Sequence, residues 1–344
     1  MRKEKAKRNK VVVAMSGGVD SSVAAALLKR AGFDVMGAFM KLNNFSSESE
    51  TRARRVARIL DIPFHVFNFE KEFKKRIVDY FLKENKKGLT PNPCVVCNKE
   101  IKFGLLLEKA LKLDADFIAT GHYVRIIKDS SKQAYKLRMG RDKEKDQSYF
   151  LWKLSQRQLK RILFPVGNYE RSEVEKLAKK FKLPFSGVRK SQEICFIPKT
   201  IEDFLKRHFK SKPGEIITKE GKTIGKHQGL WFYTIGQRKG IGLPQGPYYV
   251  LDKDLKKNIL IVTKNEKDLY KKELVVKNVN WISGKKPKLP LKATVKIRYR
   301  HNAVPSTIYP AYKIVFNKLQ RAVTPGQSAV FYRGQEIVGG GIIC

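Results

Sequence analysis

The sequence predicts an α/β protein with an N-terminal doubly wound parallel sheet, a small central β-rich domain and a C-terminal antiparallel β-barrel. Three observations predict it. Over the first 200 residues, short β-rich runs alternate with amphipathic helical stretches, the pattern that builds a parallel sheet with helices on both faces. From about Pro213 onward glycine-rich turns multiply and β-branched residues alternate with polar ones, which marks short antiparallel strands. The length, 344 residues, is enough for two or three separately cored domains. The expected boundaries are 1–205, 206–273 and 274–344.

The elements follow in order. The unbroken apolar run Val11-Val12-Val13-Ala14-Met15 makes residues 10–15 a buried strand. Residues 21–31 read as a helix, 34–40 as the next strand, 48–60 as a helix and 63–69 as a strand. Helices are expected over 72–86 and 99–111, a strand over 117–120, and one further helical stretch over 156–182, ending near Pro184. In the last domain the runs 274–281, 291–299, 312–316, 329–332 and 336–343 alternate as strands of a small barrel.

Charge narrows the function classes. Lys and Arg number 72 against 32 Asp and Glu, a net +40. The excess is spread, with net +22 in residues 1–200 and +18 in 201–344, so it is not a detachable tail. That distribution suits a long polyanion lying across several domains; a lysine-rich proteome would give the same balance. A hydrophobic content of 42% excludes a disordered chain. No apolar run reaches the length of a bilayer span, and the basic start is followed by only five apolar residues, so a cytoplasmic protein without membrane attachment is expected. The four cysteines, Cys94, Cys97, Cys195 and Cys344, are too few for a disulfide scaffold.

Two strings carry chemistry. The first strand runs into Ser16-Gly17-Gly18-Val19-Asp20-Ser21-Ser22 and then a helix. A strand, a glycine turn and a helix N-terminus offer unpaired backbone N–H groups to an anion, while the glycines permit close approach. The Gly-Lys-Ser/Thr ending of phosphoryl-transferring ATPases is absent. The second string is Thr90-Pro91-Asn92-Pro93-Cys94-Val95-Val96-Cys97-Asn98-Lys99, with Cys97 expected just before a helix and therefore easily ionised. Cys195 follows in Lys190-Ser191-Gln192-Glu193-Ile194-Cys195. On residue types alone these cysteines are buried thiols, a nucleophile pair, or three ligands of an iron–sulfur cluster.

The loop at residues 16–22 resembles the PP-loop of ATP pyrophosphatases. With Phe39-Met40-Lys41, residues 90–103, Ala119-Thr120-Gly121-His122-Tyr123, Asp146-Gln147-Ser148-Tyr149, residues 192–198, Thr234-Ile235-Gly236-Gln237-Arg238 and Arg298-Tyr299-Arg300 in one order, the chain resembles the tRNA-specific 2-thiouridylase family. The resemblance implies ATP-dependent adenylation of the wobble uridine at O2, then replacement by sulfur to give 2-thiouridine, AMP and pyrophosphate. It implies Cys97 and Cys195 as catalytic residues, Cys195 carrying a persulfide. ATP would be held by Ala14, Met15, Ser16, Gly17, Gly18, Val19, Asp20, Ser21, Met40 and Gly121, with Mg²⁺ near Asp20. Asn92, Pro93 and Cys94 would face the base, and His122, Lys145, Asp146, Gln147, Arg298, Tyr299 and Gln327 would contact the tRNA. The implied partners are the wobble-uridine tRNAs for Lys, Glu and Gln and a persulfide-donating cysteine desulfurase or sulfur-relay protein. Cys94 departs from the Asp of most bacterial members, and this keeps a route through an iron–sulfur cluster on Cys94, Cys97 and Cys195 as an alternative. Another adenylating ligase with the same loop, and a non-catalytic RNA-binding protein, are rival functions that the strings at 90–103 and 192–198 weigh against.

Overall fold

The structure is a computed structural model and describes residues 8–43, 47–131, 133–184 and 194–344. Strands β1 (Lys10–Ala14) and β2 (Asp34–Lys41) flank helix α1 (Val19–Arg30), and helix α2 (Ser47–Ile59) leads to β3 (Phe64–Asn68). Strand β4 (Phe117–Ala119), the hairpin β5 (Val124–Asp129) and β6 (Ala134–Met139), and the short β7 (Ile162–Leu163) follow. The first sheet has the order β3-β2-β1-β4-β7 and all its pairings are parallel. This is the expected doubly wound sheet. Successive β1 side chains alternate between two cores: Val11 and Val13 pack with α1 on one face, Val12 and Ala14 with the helices of the other.

The helices differ from expectation in three places. The stretch expected over 72–86 begins at Glu70: α3 (Glu70–Phe73) passes through a π segment, Lys74–Val78, into α4 (Asp79–Lys86). The helix expected at Lys99 begins at Pro93, as α5 (Pro93–Cys97), continues through a π segment, Asn98–Leu105, and ends as α6 (Leu106–Leu111). Asn92 sets this early start: its side chain accepts the Val95 N–H at 3.4 Å, and Pro93 occupies the first helical position. The single helix expected over 156–182 is three elements, α7 (Gln156–Leu159), β7 and α8 (Arg171–Lys180), divided where Pro165 and Gly167 interrupt the helical pattern.

The central sheet, after α9 (Ile201–His208), contains β8 (Gly214–Thr218), β9 (Thr223–His227), β10 (Tyr249–Asp254) and β11 (Ile259–Thr263) in the order β10-β11-β8-β9. The C-terminal strands are β12 (Tyr270–Trp281), β13 (Leu291–Lys296), β14 (Val304–Ile308), β15 (Lys313–Arg321), β16 (Ser328–Arg333) and β17 (Glu336–Ile343). They form an antiparallel barrel closed by pairing of β12 with β17. Strand β14, not anticipated from the sequence, completes the circuit between β13 and β15.

The barrel has an interior of its own, with Val295, Ile308, Phe316 and Phe331, and a second face that packs against the parallel-sheet domain. The β5–β6 hairpin, also unanticipated, joins its sheet: β6 pairs with β17, Leu137 opposite Ile337. Trp152 and Tyr149 are fully buried against the barrel, the Trp152 indole N–H donating to Ser328 Oγ at 3.0 Å and the Tyr149 hydroxyl to the Ser328 carbonyl at 2.8 Å. Val330, Tyr332 and Ile337 thereby belong to the same apolar core as Val12, Ile118 and Phe103. Among the described residues no helix is long and apolar enough to cross a membrane.

Candidate active site

The loop between β1 and α1 lies at the carboxyl ends of the parallel strands, where β1 separates β2 and β3 from β4 and β7. That is the switch point at which such sheets bind ligands. Gly18 caps α1 without any side-chain bond to the first N–H groups, leaving them for an anion. Ser21 Oγ donates to the Gly18 carbonyl at 3.0 Å and receives the Ser16 N–H at 3.2 Å, so the hydroxyls hold the loop's shape. Gly17 has φ +73°, and a Cβ there would lie 2.3 Å from the Ser49 carbonyl oxygen. A Cβ on Gly121 would meet the Ser21 nitrogen at 2.5 Å. The structure therefore gathers Ala14, Met15, Ser16, Gly17, Gly18, Val19, Asp20, Ser21 and Gly121 around one cradle, with Met40 at the end of neighbouring β2.

Asp20 is engaged by two groups that spacing did not connect to it. Its Oδ1 accepts the Tyr123 hydroxyl at 2.7 Å and Arg171 Nη1 at 2.6 Å. Tyr123 directly precedes β5, and Arg171 is the first residue of α8. No spacing rule in the sequence links positions 20, 123 and 171; parallel-sheet topology brings them together.

The cysteines converge as well. Cys195 raises the pKa of both Cys94 and Cys97 electrostatically, so it lies within electrostatic reach of both despite the separation in sequence. Burial pushes Cys97 up to about 12 and Cys94 up to about 11, and the Lys102 ammonium opposes the shift at both. Cys195 is exposed, yet protein packed about its thiol raises its pKa too, again against Lys102. The expectation that Cys97 ionises easily is corrected here: the residue sits inside a helix begun at Pro93, 6% exposed, and desolvation outweighs the nearby lysine. Lys102 reaches this cluster because the π segment rotates it back toward the face of Cys97, a register that sequence periodicity does not report. Residues 190–193 of the second cysteine string lie outside the described residues.

Beside Cys94 opens a cleft of about 380 Å³, within the range of small-ligand sites. Asn92, Pro93 and Cys94 line one wall, Trp231 and Phe232 another, and Gln327 of the barrel a third. Gln327 Nε2 donates to the Thr90 carbonyl at 2.9 Å, tying the barrel to the segment that enters the cysteine helix. Other residues expected to meet tRNA are engaged within the protein. His122 is buried, its Nδ1 2.6 Å from Thr120 Oγ1, and burial lowers its pKa well below the usual value. Asp146 is buried and accepts from the Gly140 N–H and the Ser148 hydroxyl at 3.0 and 2.7 Å. Gln147 accepts the Tyr123 N–H at 3.0 Å. Arg298 Nη2 donates to the Ile235 and Ala322 carbonyls at 3.2 and 3.0 Å, fastening the barrel to the central domain. Tyr299 packs at a tilt against Phe150, with ring centroids 4.5 Å apart, and Lys145 is exposed.

Three family models match in sequence order: a tRNA methyl transferase HUP domain over residues 9–199, a tRNA methyl transferase PRC-barrel domain over 202–264, and an aminomethyltransferase beta-barrel domain over 271–343. A tRNA-specific 2-thiouridylase MnmA 2 of Thermoanaerobacter sp. (strain X514) is 47% identical over 356 residues, covering 97% of this chain and 98% of the relative. The chain belongs to the tRNA-specific 2-thiouridylase family. Two more 2-thiouridylases agree, from Halothermothrix orenii at 46% identity, covering 97% of this chain and 99% of the relative, and from Clostridioides difficile at 44%, covering 97% and 98%. Membership does not favour a different adenylating ligase or a non-catalytic RNA binder. The iron–sulfur route is not supported either. Among the described residues no group of three or more His, Cys, Asp or Glu is arranged to hold a metal ion.

Proposed function

We propose that the protein, acting in the cytoplasm, converts the wobble uridine of tRNA to 2-thiouridine with consumption of ATP. The observation that carries this reading is Cys94 lining a cleft, with Cys97 and Cys195 in electrostatic reach of it and of each other, on the chain that also bears an uncapped glycine loop at the sheet's switch point. Uridine O2 is a poor leaving group. Attack of O2 on the α-phosphate of ATP forms an O–P bond, and pyrophosphate departs into the loop at residues 16–22. Magnesium fits the donor set there through the Asp20 carboxylate and would screen the phosphates' charge.

A persulfide on Cys195, supplied by a cysteine desulfurase or sulfur-relay protein, then attacks C2 through its outer sulfur, and AMP leaves with the former O2. Cys97 as thiolate attacks the Cys195 sulfur of the resulting C2–S–S–Cys195 link. The S–S bond breaks, its electrons pass to the sulfur on C2, and a Cys97–Cys195 disulfide remains for a cellular thiol to reduce. Alternatively Cys97 displaces hydrogen sulfide from the persulfide and that species attacks C2. Cys94, with its raised pKa, is protonated at neutral pH and hydrogen-bonds or lends a proton beside the base. The flipped base enters along Asn92, Pro93 and Cys94, and Lys145, Tyr299 and Gln327 take part in holding the tRNAs for Lys, Glu and Gln.

The test is AMP and pyrophosphate release with and without tRNA, alongside thiolation by Cys97→Ser and Cys195→Ser. Nucleotide release only with tRNA, and loss of thiolation in both variants with tRNA binding intact, is the expected result. Wild-type thiolation in either variant would remove that cysteine from the mechanism.

A further inference from the structure

The loop must hold a strongly anionic group, yet residues 16–22 contain no lysine or arginine and do contain a carboxylate, Asp20. Asp20 lies in the first turn of α1, among the residues that carry the helix's free N–H groups. A negative charge at that place repels phosphate unless something neutralises it. Arg171 does so: its Nη1 lies 2.6 Å from Asp20 Oδ1, and each side chain is about one-third exposed. Tyr123 adds its hydroxyl to the same oxygen.

The arginine is anchored from behind. Its backbone N–H donates to Asp142 Oδ2 at 2.9 Å, and its Nε donates to Glu175 Oε1 at 2.8 Å. These two contacts fix the start of α8 and the inner edge of the guanidinium, while the outer edge faces the loop. Arg52 of α2 lies three residues beyond Ser49, whose carbonyl borders Gly17. It is directed to Ser49 Oγ at 2.9 Å and to Glu48 at 3.5 Å rather than to the loop carboxylate.

We propose that Arg171, paired with Asp20, is the loop's phosphate-binding cation and is transferred to pyrophosphate or to the β,γ end of a nucleoside triphosphate when either binds. This rests on the reading of the loop as an ATP site and names how that site supplies the charge it lacks. Phosphate offers a guanidinium the same planar pairing that a carboxylate does, with more negative charge. Glu175 keeps the group within reach during the exchange, and Asp20, once released, is available to a magnesium ion. Two anions thus compete for one arginine, which gives the proposal opposite signs at its two ends.

The test is calorimetric binding of pyrophosphate, ATP and AMP to the full chain, in EDTA and in magnesium, for wild type, Arg171→Gln, Arg171→Lys and Asp20→Asn. Arg171→Gln is expected to weaken pyrophosphate and ATP about tenfold or more while leaving AMP unchanged, and Arg171→Lys to recover part of the loss. Asp20→Asn, which removes the competitor, is expected to tighten metal-free pyrophosphate. Unchanged pyrophosphate affinity in Arg171→Gln, equal loss of AMP and pyrophosphate, or weaker metal-free pyrophosphate in Asp20→Asn would each overturn the assignment. A wild-type chain that binds neither ATP nor pyrophosphate would instead overturn the reading of the loop itself.

Discussion

Replacing Gly17 by alanine adds one methyl group at the tightest point of the nucleotide loop. Two effects follow, and they are separable. The backbone has φ +73°, a left-handed conformation that costs a residue with a Cβ about 1–2 kcal/mol. The new Cβ also falls 2.3 Å from the Ser49 carbonyl oxygen and 3.2 Å from Ser49 Cα. Those are backbone atoms of α2, so no side-chain rotation relieves the overlap, and loop and helix must part by roughly 1 Å to reach ordinary contact distance. A displacement of that size in a group that positions a reactant lowers rates by about a hundredfold. Gly32 provides the matched control, with φ +86° and nothing within 4 Å of its Cβ position. Gly32→Ala carries the conformational cost alone. The assay is AMP formation with saturating tRNA and ATP, with tRNA affinity measured in parallel. Gly17→Ala is expected to lose about two orders of magnitude in AMP formation with tRNA binding intact, and Gly32→Ala to keep the wild-type rate. Equal rates in the two variants would refute the steric argument.

Cys97 has an ordinary thiol pKa of 9.0 that burial raises to about 12, so its thiolate fraction climbs about tenfold per pH unit from neutrality through pH 9. Single-turnover sulfur transfer from persulfide-loaded enzyme should climb with it, and a plateau below pH 9 would contradict this. The sign for stability is the reverse: the unfolded thiol ionises first, so the favourable term from the buried neutral thiol is complete below about pH 9 and is lost between there and about 12, measurable by urea unfolding at alkaline pH. Lys145→Gln should weaken tRNA binding and reduce the slope of log affinity against log salt by about 0.7–0.9, the share of one phosphate contact; an unchanged slope would remove Lys145 from the interface. Trp152→Ala should destabilise the protein by about 3–5 kcal/mol, seen in thermal melts, because the indole is fully buried between sheet and barrel. For the same reason, deletion of the chain from residue 274 should leave the N-terminal part aggregation-prone, and a well-folded truncated protein would contradict the shared core.

The parallel sheet was legible because its signal is local: an apolar run such as Val11-Val12-Val13 is buried on both faces and needs no long-range knowledge to be read. The glycine loop was legible for the same reason, since strand, turn and helix are contiguous. What escaped depends on context. Residues 124–139 contain a hairpin whose strands Val124–Asp129 and Ala134–Met139 are half exposed and gain their place only by pairing with the far end of the chain. Cys97 looked reactive from its neighbours in sequence, whereas its burial comes from residues such as Phe73, Ile101 and Phe196 gathered into the same core. Arg171 stood in an ordinary helical stretch and acquires significance only through its distance to Asp20.

The pairing of β6 with β17 has a consequence for how such a protein can change over generations. A unit that closes on itself can be lost, duplicated or traded between genes without damage to its neighbours. This barrel closes through β12 and β17 and fills its own interior, yet it cannot be traded alone, because its sheet is extended by, and one face of its strands is packed against, residues some two hundred positions upstream, at Leu137, Tyr149 and Trp152. A graft that exchanges only the last seventy or so residues carries one half of an interlocked joint, so compatible donors are those whose hairpin has drifted together with their barrel.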